Sequence, residues 1–409
     1  MYGIVFTVGI VAASGTAGGW RPGVSPADSR VEVGIVPLAG GDTDVGFGVG
    51  QLSNVARVSP QVTPYIWRVE SAAFISFKSG ASVGSSKAFI SPYQDVFFVL
   101  TIPRLIDQRL RLELRPSFTR ETNQRFYGLG NASVAPPGTE PERDFYGRGH
   151  PTLSLRLRWA LGRRLFIEGG QLYTQNWFDV PDNGILVTKM KTGTDIERRL
   201  LGDVRSHGVY LSELSLIWDS REDEISPLHG QFHQLRLRAS PRLGSHLPYA
   251  YQQANLTFRF YLPLIPTWVR LATRTVLDGQ FGDVPFYEMA RYDDTFALGG
   301  LNGVRGVPGQ RYYGKVKAFA NIELRSKLLT FDAFGQDYVL GSVFFFDFGR
   351  LWADWKSNPE LDGTSWGLKY GTGGGLRLQQ GETFVIRADI AWSPDARPFG
   401  AYVSAGQTF

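Results

Sequence analysis

The feature that most constrains this chain is a two-residue alternation of apolar and charged side chains, repeated along most of its length. Leu153, Leu155, Leu157 and Trp159 interleave with Ser154, Arg156 and Arg158. Leu110, Leu112 and Leu114 interleave with Arg109, Arg111, Glu113 and Arg115. The same pattern runs through Leu256, Phe258, Phe260 and Leu262, and again through Phe384, Ile386, Ala388, Ile390 and Trp392. Successive strand residues point to opposite faces, so each run has one greasy face and one charged face. In a soluble sandwich the greasy faces need a second sheet to cover them. In lipid they need no cover, but every backbone polar group must be paired, and strands achieve that only by closing on themselves. The stacked arginines, the run lengths and the alternation of long and short connections all fit a transmembrane antiparallel β-barrel.

Sixteen runs can be traced, the first over residues 31–40 and the last centred near residue 405. Long connections follow odd-numbered runs, at 122–149, 178–206, 279–314 and 354–367. Shorter turns follow even-numbered runs, for example 219–230 and 326–337. That asymmetry matches long external loops and short periplasmic turns. The expected fold is therefore all-β, a barrel of sixteen strands over residues 31–409 in a bacterial outer membrane, with outer-membrane lipids as its first partners. Only 20% of the 409 residues are charged and 48 are glycine, a balance that suits such a barrel better than a helical enzyme. The net charge of +5 does not point to nucleic acid, because the arginines are spread along strands rather than gathered in a patch. With no cysteine, disulfides and thiolate metal sites are excluded.

Beyond the N-terminus no segment has the roughly 18 consecutive apolar residues of a helical span. Residues 2–20 carry no charge, and their small, Gly-rich second half is ill-suited to a membrane helix. We expect residues 1–19 to be a signal peptide or its remnant, and 20–30 a short periplasmic lead.

The stretch 296–317 packs six glycines and one proline between two strand-like runs. Its composition argues for a constrained loop. At its centre Val304-Arg305-Gly306, with Gly299 and Gly300 upstream, resembles the VRG[FY] loop of the BamA/TamA superfamily of outer-membrane assembly barrels, of the bacterial surface antigen type. Val307 stands where that family has an aromatic. Five further elements resemble the family in its order. They are Phe126, Tyr127, Gly128, Gly130 and Asn131 in an external loop, the Asp219-Ser220-Arg221 turn followed by Pro227-Leu228-His229-Gly230, the strand 319–325 after the Arg loop, Phe346-Asp347-Phe348-Gly349, and the ending Gly406-Gln407-Thr408-Phe409, similar to a terminal aromatic assembly signal. About ten residues between Trp20 and Val31 leave no room for a POTRA domain, so the expectation is a barrel-only member. The resemblance implies a protein that assists insertion or translocation of a client protein or lipid-linked cargo, with a separate periplasmic or POTRA-bearing partner. A gated or plugged channel and a structural membrane anchor for a partner complex are the alternatives.

Strand parity directs Glu323 and Asp347 to the lumen, so a loop folded inward would bring Arg305 against Asp347 with Glu323 nearby. No catalytic residue, metal site or cofactor is expected, and the protein is not read as an enzyme. The hydrolase-like pattern at 80–84 is followed by another strand-like run, not a helix. His229 and His233 lie on a strand pattern, roughly 13 Å apart, too far to share an ion. The glycine run 371–375 lacks the Lys-Ser/Thr of a phosphate loop and suits strand curvature or space for a tucked loop.

Overall fold

A computed structural model of the chain describes residues 13–15 and 29–409, apart from 60–61, 81–82, 84–88, 107–108, 135–142, 225, 294, 334–335, 381–383 and 396–398. The expected signal peptide and lead therefore lie outside the described residues, except for Ala13–Gly15 and residues 29–30. Most of the hydrolase-like stretch at 80–84 lies outside them too.

Sixteen strands form one antiparallel barrel. The first eight are β1 (Arg30–Asp42), β2 (Gly46–Ser59), β3 (Val62–Phe77), β4 (Tyr93–Leu105), β5 (Leu110–Arg125), β6 (Phe145–Ala160), β7 (Leu165–Asp179) and β8 (His207–Asp219). The second eight are β9 (Gly230–Ser240), β10 (Tyr251–Ile265), β11 (Val269–Gly282), β12 (Val316–Ala333), β13 (Gln336–Trp352), β14 (Lys369–Gln380), β15 (Phe384–Trp392) and β16 (Gly400–Ala405). Each pairs with its sequence neighbours, and β16 returns to β1. The sixteen alternating runs each correspond to one strand. One connection differs from expectation. The turn placed at 326–337 is much tighter, because β12 and β13 stay paired down to Ala333 and Gln336. Arg325–Leu329 breaks the strict alternation, and the register shift between Lys327 and Leu329 is the reason.

The alternation sorts the side chains as lipid and lumen require. On β12, Ile322 and Leu324 are exposed outward while Asn321, Glu323 and Arg325 are buried inward. On β13, Phe344 and Phe346 are exposed and Phe345 and Asp347 buried. Inward charges are neutralised between strands, either adjacent or one strand apart. Arg156 on β6 meets Glu213 on β8 at 2.7 Å, and Lys317 on β12 meets Asp278 on β11 at 2.8 Å.

The long connections fold over one end of the barrel and build a hydrophobic core there. The connection after β7 forms α1 (Ile185–Thr192) and α2 (Asp195–Leu201). A reciprocal cap starts α2, where Glu197 N–H donates to Thr194 Oγ1 and Thr194 N–H donates to the Glu197 carboxylate. Leu186, Leu200 and Leu201 pack there with Phe126, Tyr146, Phe286, Tyr287 and Tyr313. His207 Nε2 lies 2.9 Å from the Tyr287 hydroxyl, and Arg148 sits over the Tyr287 ring. The lid is thereby tied to the wall.

The seam is the weak point of the cylinder. Among the described residues the ladder across it has two pairs, Asp42–Tyr402 and Gly41–Val403, with one further bond from Thr43 N–H to Ala401 O at 3.2 Å, whereas β12 and β13 pair from Val316–Trp352 to Ala333–Gln336. The lower part of β1 is instead paired by Ala13–Gly15, opposite Val31, Glu32 and Val33.

Two outcomes check this architecture. The folded protein will migrate differently on a gel before and after boiling, because a closed hydrogen-bonded barrel resists detergent. Identical migration would contradict a closed barrel. Leu155→Arg, on the outward face, will impair membrane insertion at a cost of roughly 2–4 kcal/mol. Arg156→Ala will be milder, because Glu213 keeps Arg238 at 3.2 Å. Equal effects would mean that the two faces are exchanged.

Candidate functional site

The site forms where the connection between β11 and β12, residues 283–315, descends into the lumen. Left-handed backbone at Gly299 (φ +117°) and Gly306 (φ +91°) bends it there. A side chain at Gly299 would collide with the carbonyl of Pro308, so the two limbs of the loop lie backbone to backbone. Val304 and Val307 pack inside against Leu298, Tyr312, Phe319 and Leu351. An aromatic at 307 is therefore not needed to seat the loop in this chain.

Arg305 is fully buried at the tip. Its Nε donates to Asp347 Oδ2 at 2.7 Å and its Nη2 to Asp347 Oδ1 at 3.0 Å, a planar two-bond fork. Its backbone N–H donates to the same carboxylate at 3.1 Å. Nη1 lies 2.7 Å from Glu323 Oε1 on β12 and 3.2 Å from Asp389 Oδ2 on β15. The guanidinium also lies 3.5 Å above the centre of the Phe345 ring. Burial works against the charge, but Asp347 and then Glu323 outweigh it, so the loop guanidinium has its pKa raised above the ordinary value. The carboxylates are themselves shared, Glu323 with Arg325 at 2.7 Å and Asp389 with Arg377 at 2.5 Å. What results is an alternating network of charges that holds a loop.

Inward glycines on β14 make the room. A side chain at Gly371 would strike the Arg305 carbonyl, one at Gly373 the Phe345 ring, and one at Gly375 the Asp389 carboxylate. At Gly349, the last residue of the FDxG element, a side chain would meet Leu298 of the loop and Phe319. These glycines are needed for close approach.

The loop is also fastened on both sides of the seam. Gly306 N–H donates to the Tyr402 hydroxyl of β16 at 2.8 Å. Gly309 N–H donates to Asp44, in the β1–β2 turn, at 2.7 Å. Higher up, the loop meets the external element 126–131. Phe126 packs edge-on to Tyr313, Gly130 N–H donates to Tyr313 O at 2.8 Å, and Arg311 lies over Tyr127. Gly128 and Gly130 take positive φ, and Asn131 Nδ2 donates to Gly367 O in the β13–β14 connection.

After β16 the chain bends at Gly406 (φ +84°) into the lumen instead of continuing along the wall. Thr408 Oγ1 accepts from Arg387 at 2.6 Å and from Arg305 at 3.3 Å. The Phe409 ring packs on Tyr261 and Ala272, with Arg274 and Arg325 over it. Phe409 thus occupies the barrel interior. Asp389, Tyr402, Asp44 and Thr408 are parts of the site that the sequence reading missed. The inward parity of Asp389 was visible, but its reach to Arg305 depends on a barrel closing through three further strands. His233 sits on β9 against Phe258 and Phe260, and His229 is in the turn before it. Among the described residues no cluster of three metal-ligating side chains occurs.

Breaking the lock has calculable consequences. Arg305→Ala or Asp347→Ala strands a buried partner, a cost of up to about 3–5 kcal/mol that lumen water will reduce. Each single variant will expose the loop to protease near Arg311, and the double variant will be little worse than either. Additive effects would mean that the two residues act separately. Gly371→Ala will release the loop with every charge intact, whereas Gly374→Ala, on the other face, will not. A loop as protected in Gly371→Ala as in the parent would refute the close approach.

Residues 209–409 match the model of the Omp85 superfamily domain. No curated protein matches the sequence. Among solved structures the barrel is similar to BamA from Haemophilus ducreyi lacking POTRA domains 1–3, at 12% identity and TM-score 0.57, covering 93% of this chain and 70% of that one. It is similar to CdiB from Escherichia coli at 13% identity and TM-score 0.57, covering 92% of this chain and 62% of that one. CdiB from Acinetobacter baumannii gives TM-score 0.50 at 13% identity, over 92% of this chain and 59% of that one. The chain thus spans less than two thirds of either CdiB structure. At such identities the likeness establishes the fold, and the domain match speaks for the residues it covers. Residues 209–409, the second half of the barrel, are thus an Omp85 superfamily domain.

Proposed function

We propose that this barrel assists the insertion or translocation of a client polypeptide at the outer membrane, and that the client engages the seam between β1 and β16. The observation that carries the reading is the seam itself. Between Val33 and Gly41, β1 has no ladder partner on the β16 side among the described residues. An unpaired strand edge is a template for another strand. Pro37 lies within this stretch, where the lack of an N–H is tolerated because the strand is an edge. The Omp85 domain and the BamA-like and CdiB-like barrel support the same class of activity and an outer-membrane location. Outer-membrane lipids and a periplasmic partner, POTRA-bearing or otherwise, complete the proposed assembly. The barrel guides a chain and performs no covalent chemistry.

A plugged channel is the competing reading, and one experiment separates the two. The chain has no native cysteine, so Thr43→Cys with Ala401→Cys, which flank the seam pairs, makes a single disulfide. A photo-crosslinker at Ile35, outward on β1, will capture outer-membrane client chains in native membranes, and the disulfide will abolish capture until it is reduced. Undiminished capture under oxidising conditions, or equal capture from Leu214 on the far wall, would sink the seam proposal. Large steady conductance of the parent protein in a planar bilayer would favour the channel.

A further inference from the structure

Between β9, β10 and β11 and the descending Arg305 loop lies a chamber of about 190 Å³ in which every lining side chain bears a polar group. Its charges do not balance. Arg236, Arg259 and Arg274 line it, against Asp293 alone. Asp293 is already held by Arg236 at 2.5 Å and also by Arg238. Arg259 and Arg274 stand directly opposite each other on β10 and β11, two like charges within cross-strand reach. Arg274 uses its donors on Asn321, Thr408 O and Asn302 O. Arg259 stacks on Phe232 and makes no hydrogen bond or ion pair among the described residues, and its Nε is buried without an acceptor. The Thr295 hydroxyl, on the loop side of the chamber, is likewise buried without a partner.

We propose that this chamber is an oxyanion site that takes a small divalent tetrahedral anion of the phosphate or sulfate class. Three features select that chemistry. The excess is two positive charges, which a divalent anion cancels. The free edge of the Arg259 guanidinium presents the fork that grips two oxygens of such an ion. A third oxygen accepts from Thr295, which lies on a different side, as a tetrahedral ligand allows and a planar carboxylate does not. At about 190 Å³ the chamber has room for the ion with a few waters. Because Arg259 belongs to the wall and Thr295 to the loop, the anion bridges them and makes loop seating depend on it. This holds whatever the barrel transports.

The test is equilibrium dialysis of the folded full chain in detergent against labelled inorganic phosphate, with chloride keeping the ionic strength constant. The parent will bind one phosphate saturably. Arg259→Gln, which loses no hydrogen bond and relieves a repulsion, will retain heat-dependent gel migration but bind at least about tenfold more weakly, a 1.4 kcal/mol difference. Thr295→Val is the second variant, with a smaller loss. Phosphate will slow proteolysis near Arg311 in the parent more than equal ionic strength of chloride does, and this difference will vanish in Arg259→Gln. Glycerol 3-phosphate, standing for a lipid headgroup, separates the sources: competition assigns an esterified phosphate, and no competition assigns the free ion. Absence of saturable phosphate binding, or binding unchanged in both variants, would overturn the proposal and leave water as the only occupant.

Discussion

A guanidinium removed from water must be answered by charge from several directions, and the lumen answers Arg305 with Asp347, Glu323 and Asp389 from three different strands. Those three carboxylates come within reach of one point only if the sheet has curled far enough to bring β12, β13 and β15 around it. The ion cluster and the curvature of the wall are therefore one condition. The glycines of β14 belong to it as well, since the strand between those that carry Asp347 and Asp389 has to surrender its own side chains to let the loop in.

Sharing governs the surrounding electrostatics. Glu323 serves Arg305 and Arg325, Asp389 serves Arg305 and Arg377, and Glu213 serves Arg156 and Arg238. Each carboxylate is bridged by two cations, so a loss at one position leaves a neighbour partly compensated. Asp347 is the exception, with both oxygens and a backbone amide committed to the loop tip. For that reason Asp347 is the residue on which the seating of the loop turns.

Strand number, strand parity and the inward direction of Asp347 were legible in the sequence, because a period of two leaves a readable trace in Phe344, Phe346 and Phe348 against Phe345 and Asp347. Hairpin neighbours could be read for the same reason. Contacts between strands far apart in the chain could not. Asp389 to Arg305 and Asp44 to Gly309 are consequences of closure, and no local pattern encodes which lumen residues end up facing each other across a cylinder. The path of Thr408 and Phe409 was hidden for another reason. An aromatic at the end of an alternating run reads as a terminal assembly signal and says nothing of its path, and only the left-handed turn at Gly406, beside four arginines that need acceptors, takes it inside.

The two bonds that the loop makes to Tyr402 and to Asp44 have a thermodynamic consequence. One amide grips the last strand and another, three residues on, grips the turn after the first, so the loop spans the joint as a staple does. Parting the strands must break at least one of these bonds, and withdrawing the loop removes both. The two transitions are then linked functions of a single equilibrium. Whatever stabilises the withdrawn loop lowers the free energy of parting the strands, and a chain that wedges the strands apart favours loop release by the same increment. A polypeptide arriving at the joint and a ligand pulling on the loop from outside are, in these terms, effectors of each other.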